Sequence, residues 1–218
     1  MKIYAMSDIH GCIKEFEQAL SLIDLSGDNK LIMLGDYVHG GYDSYAVLDK
    51  VFELQKRYGT DKVVALVGNH EETVICGSRS INDDGVFLPG DEVYINWMKA
   101  LPKFYETETG IFCHSGICED VGKNWKEATT DHMYTNKFPA QFGGFYKDII
   151  SGHIRTSDIS GDPEFHDILF DGQSHYFIDG ATARSGIVPV LMIDTENGKY
   201  YSVKEECATE ISAYKPEK

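Results

Sequence analysis

The feature that most constrains this chain is a repeated way of ending a strand. Five apolar runs each stop at a side chain able to bind a cation or move a proton, most with a glycine alongside. "MSDIHG" delivers Asp8 and His10, "MLGDY" Asp36, "LVGNHEE" Asn69 and His70, "IFCHSG" His114, and "DIISGHI" His153. A buried strand that ends this way presents its polar residue at a sheet edge, and ligands of open α/β sheets sit beyond the carboxyl ends of the strands. Asp36 follows Asp8 by 28 residues and Asn69 follows Asp36 by 33. One strand–helix–strand unit takes roughly 30 residues, so the spacing sets these groups on the same edge of one sheet. One Asp or His after a strand is commonly a turn former. Five in series point to a metal centre gathered from remote parts of the chain.

The segments between them fit that geometry. Lys2–Ser7, Lys30–Leu34 and Lys62–Val67 read as short strands. Ile13–Ile23 and Ser44–Tyr58 carry apolar residues at helical spacing, with Val47, Leu48, Val51, Phe52 and Leu54 marking the second. This alternation implies right-handed crossovers and a parallel sheet. Gly77–Gly90 is polar and turn-rich and reads as a surface loop. Asp91–Leu101 suits a helix capped by Asp91, and Lys103–Glu108 with Gly110–Ser115 suits a hairpin. Glu119–Gly144 follows no single period. The last third reads as strands. Asp148–Ser151 is one; His166–Phe170 and Ser174–Ile178 flank the turn Asp171-Gly172; Val188–Asp194 and Lys199–Val203 flank Asn197-Gly198. The expected class is α/β, with an antiparallel, α+β character in the C-terminal half, as two packed sheets with helices outside. With no linker-like break, one domain is expected over 1–218, its core at about 2–203 and a C-terminal tail from about 204, frayed at "SAYKPEK".

Charge narrows the partners. The chain carries 35 acidic residues against 20 Lys and Arg, a net charge of −15. Such a surface repels nucleic acid polymers and anionic membranes at long range. Phosphate can bind only where metal ions or local cations reverse the field. The five cysteines, at 12, 76, 113, 118 and 207, are odd in number and lack a disulfide framework. "CHSGIC" reads as buried strand cysteines rather than a zinc site. The opening "MKIYAMSDIH" has neither the basic flank nor the apolar stretch of a signal peptide, and no segment has the length of a membrane span. A reduced, cytoplasmic protein with no membrane partner is expected.

Taken in order, D-x-H-G at Asp8–Gly11, G-D-x-V at Gly35–Val38, G-N-H-E at Gly68–Glu71, H-S-G at His114–Gly116 and the late Gly152-His153 resemble the calcineurin-like metallophosphoesterases. The likeness is greatest to the phosphoprotein-phosphatase branch and its bacterial relatives, which include the symmetrical dinucleoside tetraphosphatases, and it runs from Lys2 to about Val203. The resemblance implies two mixed β-sheets packed face to face. It implies that Asp8 and His10 bind one divalent ion, that Asp36 bridges two, and that Asn69, His114 and His153 bind the second. It implies a hydroxide bridging the ions as nucleophile, Asp36 and His70 as catalytic residues, and His70 as proton donor to the leaving oxygen. Mixed Asp, Asn and His ligation suits Mn or Fe, with Zn, Co or Ni also admissible.

One stretch departs from the pattern. The family continues its second motif V-D-R-G, where the Asp supports the catalytic histidine and the Arg grips phosphate; here the residues are Val38-His39-Gly40-Gly41. His39 could support His70, although two close imidazoles disfavour each other's protonation. The loop arginine found in bacterial members falls near Asn136 of "HMYTNKF". Substitutes for the missing clamp are sought among Arg155, Arg184 and Lys137, with Arg57 and Arg79 read as solvated. Asn69, His39, Arg155 and Arg184 are therefore the expected substrate contacts. Three functions stay open. The leading one is a Ser/Thr protein phosphatase-like phosphomonoesterase, acting on a phosphorylated protein or a small-molecule phosphate ester. The second is a dinucleoside polyphosphate hydrolase or phosphodiesterase. The third is a catalytically impaired pseudophosphatase that binds a phosphorylated partner.

Overall fold

A computed structural model describes residues 1–205 and 207–215. The first sheet is seeded by β1 (Lys2–Met6), β2 (Lys30–Met33) and β3 (Val63–Ala65), joined through α1 (Ile13–Ser21) and α2 (Ser44–Tyr58). Each strand alternates between two interiors, because successive side chains of a strand point to opposite faces. Tyr4, Met6, Leu31, Met33, Val63 and Ala65 pack under the helices. Ile3, Ala5, Ile32, Leu34, Val64 and Leu66 pack against the second sheet. Burial on both faces is what all-parallel pairing requires, and β1–β2 and β2–β3 are parallel.

The chain then passes α3 (Asn69–Ile75) and α4 (Asp91–Ala100) into β4 (Phe104–Glu106) and β5 (Gly110–Cys113). The stretch without a clear period holds a short 3-10 turn, Glu119–Asn124, and two short helices, α5 (Trp125–Ala128) and α6 (Asp131–Asn136). After them come β6 (Asp148–Arg155), α7 (Thr156–Ser160), β7 (Leu169–Phe170), β8 (His175–Asp179) and α8 (Thr182–Ser185), then β9 (Val190–Asp194), β10 (Lys199–Lys204) and β11 (Cys207–Glu210). The sheets run β11-β10-β9-β1-β2-β3 and β4-β5-β6-β8-β7. Both are mixed, and Phe112, Ile150, Tyr176 and Ile178 of the second face the first across a shared core.

Three expectations need correcting. The C-terminal half is not simply antiparallel: β5–β6 and β6–β8 are parallel, and the hairpins lie at the edges. Local turn signals reveal hairpins, whereas pairing across a long crossover leaves no local mark. The tail does not begin at 204. Residues 207–210 form a strand on β10, and Tyr214 donates its N–H to the Phe170 carbonyl and sets its ring against Phe165; residues 216–218 of the expected frayed end lie outside the described residues. The Gly77–Gly90 loop is not wholly on the surface either, since Ser80 and Ile81 are each 1% exposed.

Candidate dinuclear metal site

The cluster forms where β1, β2, β3 and β5 end and where the pairing of β6 turns irregular between Ser151 and Arg155. Close approach of these ends needs glycine. A Cβ on Gly68 would lie 2.2 Å from Asp36 Oδ1, and one on Gly152 would lie 2.1 Å from both Asp8 Oδ2 and Ser7 Oγ. Among the described residues, seven non-glycine positions have positive φ, and five of them are Asp8, His10, Asp36, His39 and His153. Left-handed backbone costs non-glycine residues of order 1–3 kcal/mol and gathers at functional sites. Here it turns each side chain back over the strand end.

Glu71 holds this turn together. It is fully buried, and its carboxylate accepts N–H bonds from Asp36 at 2.8 Å, Gly68 at 2.9 Å, Tyr37 at 2.8 Å and Val38 at 3.3 Å. Burial, with the neighbouring Asp36 charge, pushes its pKa up to about 7, against the pull of these N–H donors. Glu71 thereby locks the Asp36 loop onto α3.

All six expected metal ligands come together. Asp36 Oδ2 lies 3.4 Å from His114 Nε2 and 3.8 Å from His10 Nε2, and Asp8 Oδ1 lies 3.7 Å from His10 Nε2. Asn69 Oδ1 lies 2.9 Å from His114 Nε2 and 3.0 Å from His153 Nδ1. Asp36 Oδ1 is tied to the His70 N–H at 2.9 Å, and Asp8 Oδ2 to the His153 N–H at 3.0 Å. The far ring nitrogens are also anchored: His10 Nδ1 meets the Val38 carbonyl at 3.3 Å and His114 Nδ1 the Leu34 carbonyl at 3.1 Å. A carbonyl only accepts, so both rings carry the hydrogen on Nδ1 and turn the Nε2 lone pair toward the carboxylates. Lone pairs and carboxylate oxygens converging on one volume repel unless a cation lies between them. Asp8, Asp36 and His114 form one such group and His10, Asp36 and His70 another. Both groups share Asp36, and the wider donor set of Asp8, His10, Asp36, Asn69, His114 and His153 has the charge and lone pairs to suit two divalent ions.

The electrostatics tell the same story. Burial would lower the His114 pKa, yet Asp36, Asp8 and Glu71 raise it to about 10, the mark of a site that favours positive charge. Burial opposes ionisation of Asp36, but the surrounding histidines, His114 first, hold its carboxyl well below the usual range. Burial lifts Asp8 to about 6. It lifts Asp179 to about 8, helped by the Asp8 charge. His70 and His153 are each pushed down to about 4 by burial.

These residues open into a cavity of about 250 Å³, whose lining adds Gly40, Arg155, Asp179 and Arg184. Larger grooves exist, one of about 620 Å³ beside Trp97 and Tyr105, but among the described residues none carries such a cluster. Arg155 has 46% of its side chain exposed and its nearest carboxylate, Asp158, at 3.8 Å. Arg184 is likewise exposed.

The other candidates fall away. His39 is 1% exposed, with Nδ1 at 3.0 Å from His70 Nδ1 and Nε2 at 2.8 Å from the Ser80 carbonyl. Both ring nitrogens are engaged, so the expected substrate contact at His39 is corrected to a contact with His70. Lys137 turns its ammonium to the Ile117 carbonyl, Glu119 and Gln141. Asn136 bonds Glu72, Arg79 pairs with Asp83, and Arg57 lies over the Tyr58 ring. Asp179 joins the cavity without having been singled out above, although "YFIDGAT" ends an apolar run with Asp-Gly as the metal motifs do. That shared ending was the available signal.

The family model for calcineurin-like phosphoesterases matches residues 1–185. The chain belongs to the calcineurin-like phosphoesterase family. Among curated relatives of this chain are two proteins named bis(5'-nucleosyl)-tetraphosphatase, symmetrical. That of Chromobacterium violaceum is 32% identical over 126 residues, covering 54% of this chain and 44% of its own length. That of Nitrosococcus oceani is 30% identical over 188 residues, covering 73% and 64%. The matched region thus spans about half to two thirds of these relatives. Among solved structures, a cold-active protein-tyrosine phosphatase from a psychrophilic Shewanella superposes with a TM-score of 0.71 at 15% identity, covering 97% of this chain and 80% of that one. A protein serine/threonine phosphatase from Saccharomyces cerevisiae gives 0.59 at 12% identity, covering 99% and 81%. At these identities the structural likeness is one of fold. Among the described residues, no helix is long and apolar enough to cross a membrane.

Proposed function

We propose that this phosphoesterase hydrolyses a small-molecule phosphate, with dinucleoside polyphosphates as its substrate class, in preference to Ser/Thr phosphoproteins. The carrying observation is that Arg155 and Arg184 line the same cavity as the caged cluster, while Arg79, whose charge acts on His39, is paired with Asp83. A monoester offers one charged group, which the ion pair can satisfy. A polyphosphate chain offers several, and its further phosphates can reach guanidinium groups on the rim. The names of the curated relatives support the same class.

In this reading Asp8, His10 and Asp36 hold one ion, and Asp36, Asn69, His114 and His153 the other; Mn or Fe best suits the mixed nitrogen and oxygen set. Two such ions supply charge neutralisation at the phosphoryl oxygens and a water acidic enough to act near neutral pH. The protein's own groups do the rest. Glu71 fixes the loop that carries Asp36. Asn69 and the two arginines position phosphoryl oxygens. His70 Nε2 faces the cavity and returns a proton to the leaving oxygen, and an anionic phosphate beside it favours the protonated ring.

The test is a panel on metal-stripped protein reloaded with Mn: a dinucleoside tetraphosphate, p-nitrophenyl phosphate, a phosphodiester and a phosphoserine peptide. The tetraphosphate is expected to exceed the monoester and the peptide in kcat/KM by at least about tenfold, roughly the worth of one charge-assisted contact. A preference for the phosphopeptide overturns the substrate class. Metal uptake without turnover of any compound overturns the hydrolase and leaves a phosphate-binding protein.

A further inference from the structure

The pair of imidazoles at His39 and His70 replaces an expected carboxylate–histidine pair, and its hydrogen-bond directions are determined. The Ser80 carbonyl oxygen can only accept, so the hydrogen of neutral His39 is on Nε2, 2.8 Å away. His39 Nδ1 is then a bare acceptor. It lies 3.0 Å from His70 Nδ1, which must be the donor. His70 Nε2 is left without a hydrogen. It is the nitrogen on the cavity side, 3.9 Å from Asp36 Oδ2, with the His10 ring at 4.6 Å between centroids.

We propose that His39 is a positioning residue: a relay from the Ser80 backbone carbonyl through His39 locks His70 in the Nδ1–H tautomer and aims its Nε2 lone pair at the phosphate site. The relay gives His70 the acceptor that a carboxylate would give, without adding a negative charge beside a centre that already gathers Asp8, Asp36 and Asp179. His70 can then take up and release a proton at Nε2 while its Nδ1–H stays bonded to His39, so no ring flip or tautomer exchange interrupts turnover.

The relay is built into the fold from both ends. His39 sits at φ +69°, and its own N–H donates to Ser44 Oγ at 3.0 Å. Ser80 is 1% exposed; its hydroxyl donates to Asp84 Oδ1 and accepts from the Gly85 N–H, each at 2.9 Å. Asn82 Oδ1 accepts the Ser44 N–H at 3.0 Å, tying the loop to the start of α2. Ile81 enters the core beside them. The Gly77–Gly90 segment, which reads from sequence as a plain surface loop, thereby reaches the proton-transfer residue through one carbonyl.

The inference rests on the reading of His70 as the proton-transfer group, but its first test does not use turnover. Imidazole nitrogen NMR on metal-free, 15N-labelled protein, at a pH where both rings are neutral, should show His70 protonated at Nδ1 and His39 at Nε2. His70 found as the Nε2–H form, or as a fast mixture of both, overturns the relay. His39→Asn keeps an acceptor for His70 and should keep its tautomer; His39→Leu removes it and should release His70 into a mixture. In the Mn-loaded enzyme His39→Leu should lower kcat by about 10- to 100-fold with KM little changed, the usual effect of losing such a supporting contact, and His39→Asn should restore most of it. Should a variant fail to fold, the wild-type spectrum alone still decides. Correct tautomers in a protein that hydrolyses nothing would sink the proposed activity and spare the relay. Turnover with a mixed His70 tautomer would do the reverse.

Discussion

Two buried polar clusters in this molecule are made of the same residue types and do opposite things. At the strand ends, His10 and His114 stand beside Asp8 and Asp36. On the second sheet, His175 stands between Asp171 Oδ2 at 3.1 Å from Nδ1 and Glu119 Oε2 at 3.0 Å from Nε2. His175 spends both ring nitrogens on carboxylates lying on opposite sides, so a protonated ring satisfies everything. His10 and His114 spend one nitrogen on a backbone carbonyl and turn the other toward the acids. The backbone carbonyls, more than the count of His and Asp, make one cluster a candidate place for cations and the other a buried ion pair.

Removing the shared carboxylate should break that contrast most severely. Asp36→Asn keeps the side chain's shape and takes away the charge common to both ion positions. Metal content should fall below two ions per chain, and hydrolysis should drop by at least about 10³-fold, the several kcal/mol that paired ions supply. His175→Gln should leave metal content and turnover near wild type. Equal metal loss in both variants, measured by atomic absorption, would erase the distinction.

The next effect is on stability. Glu71 receives four N–H donors in a site with no access to water. Glu71→Gln sets an amide NH2 against N–H groups and leaves buried donors unpaired. The expected cost is about 2–4 kcal/mol, read as a lower urea midpoint with an unchanged m-value. A midpoint within error of wild type would mean that the Asp36 loop is held by its neighbours alone.

How much of this was legible follows from where each signal is stored. The strand-end motifs and the 28- and 33-residue intervals are local, so the shared sheet edge and the crossovers could be read directly, while the division of ligands between two ions came only from the family resemblance. The parallel pairing of β5, β6 and β8 could not, because it depends on which distant strands share a face. Ser80 was missed for a similar reason: it acts through a backbone carbonyl, which any residue carries. His175, at the start of a strand beside a turn signal, is 2% exposed. Its partner Glu119 is 56 residues away, in a stretch with no period of its own.

A smaller effect separates the cations of the two clusters. Lys137 serves Glu119 and therefore the buried ion pair, while Arg155 and Arg184 face the cavity. Arg155→Ala and Arg184→Ala should each raise KM for a dinucleoside tetraphosphate by about tenfold, the equivalent of about 1.4 kcal/mol. KM for p-nitrophenyl phosphate should change much less. Equal losses on both substrates would place the arginines at the reacting phosphate instead of beside its neighbours.

The smallest expected effect is a pH dependence that belongs to the second cluster alone. Burial would depress the His175 pKa, but Glu119 and Asp171 outweigh it and raise the value above the ordinary one. A folded-state pKa above the unfolded one means the stabilisation is complete below about pH 6.5 and fades as pH rises through the folded value. Asp171 stays ionised through that range: although burial opposes its charge, the N–H groups of Gly143, His175 and Gln173 and the His175 charge hold its carboxyl below the usual value. Lys137 Nζ, 3.3 Å from Glu119 Oε1, adds a second cation to the same carboxylate. The wild-type melting temperature, followed upward from pH 6, should therefore fall relative to that of His175→Gln, with the two curves converging at high pH. Titration at the strand-end cluster is common to both proteins and cancels in the difference. Parallel curves would mean that His175 is neutral between its carboxylates, and the contrast between a protonated cluster and a cation-binding one would then have to be redrawn.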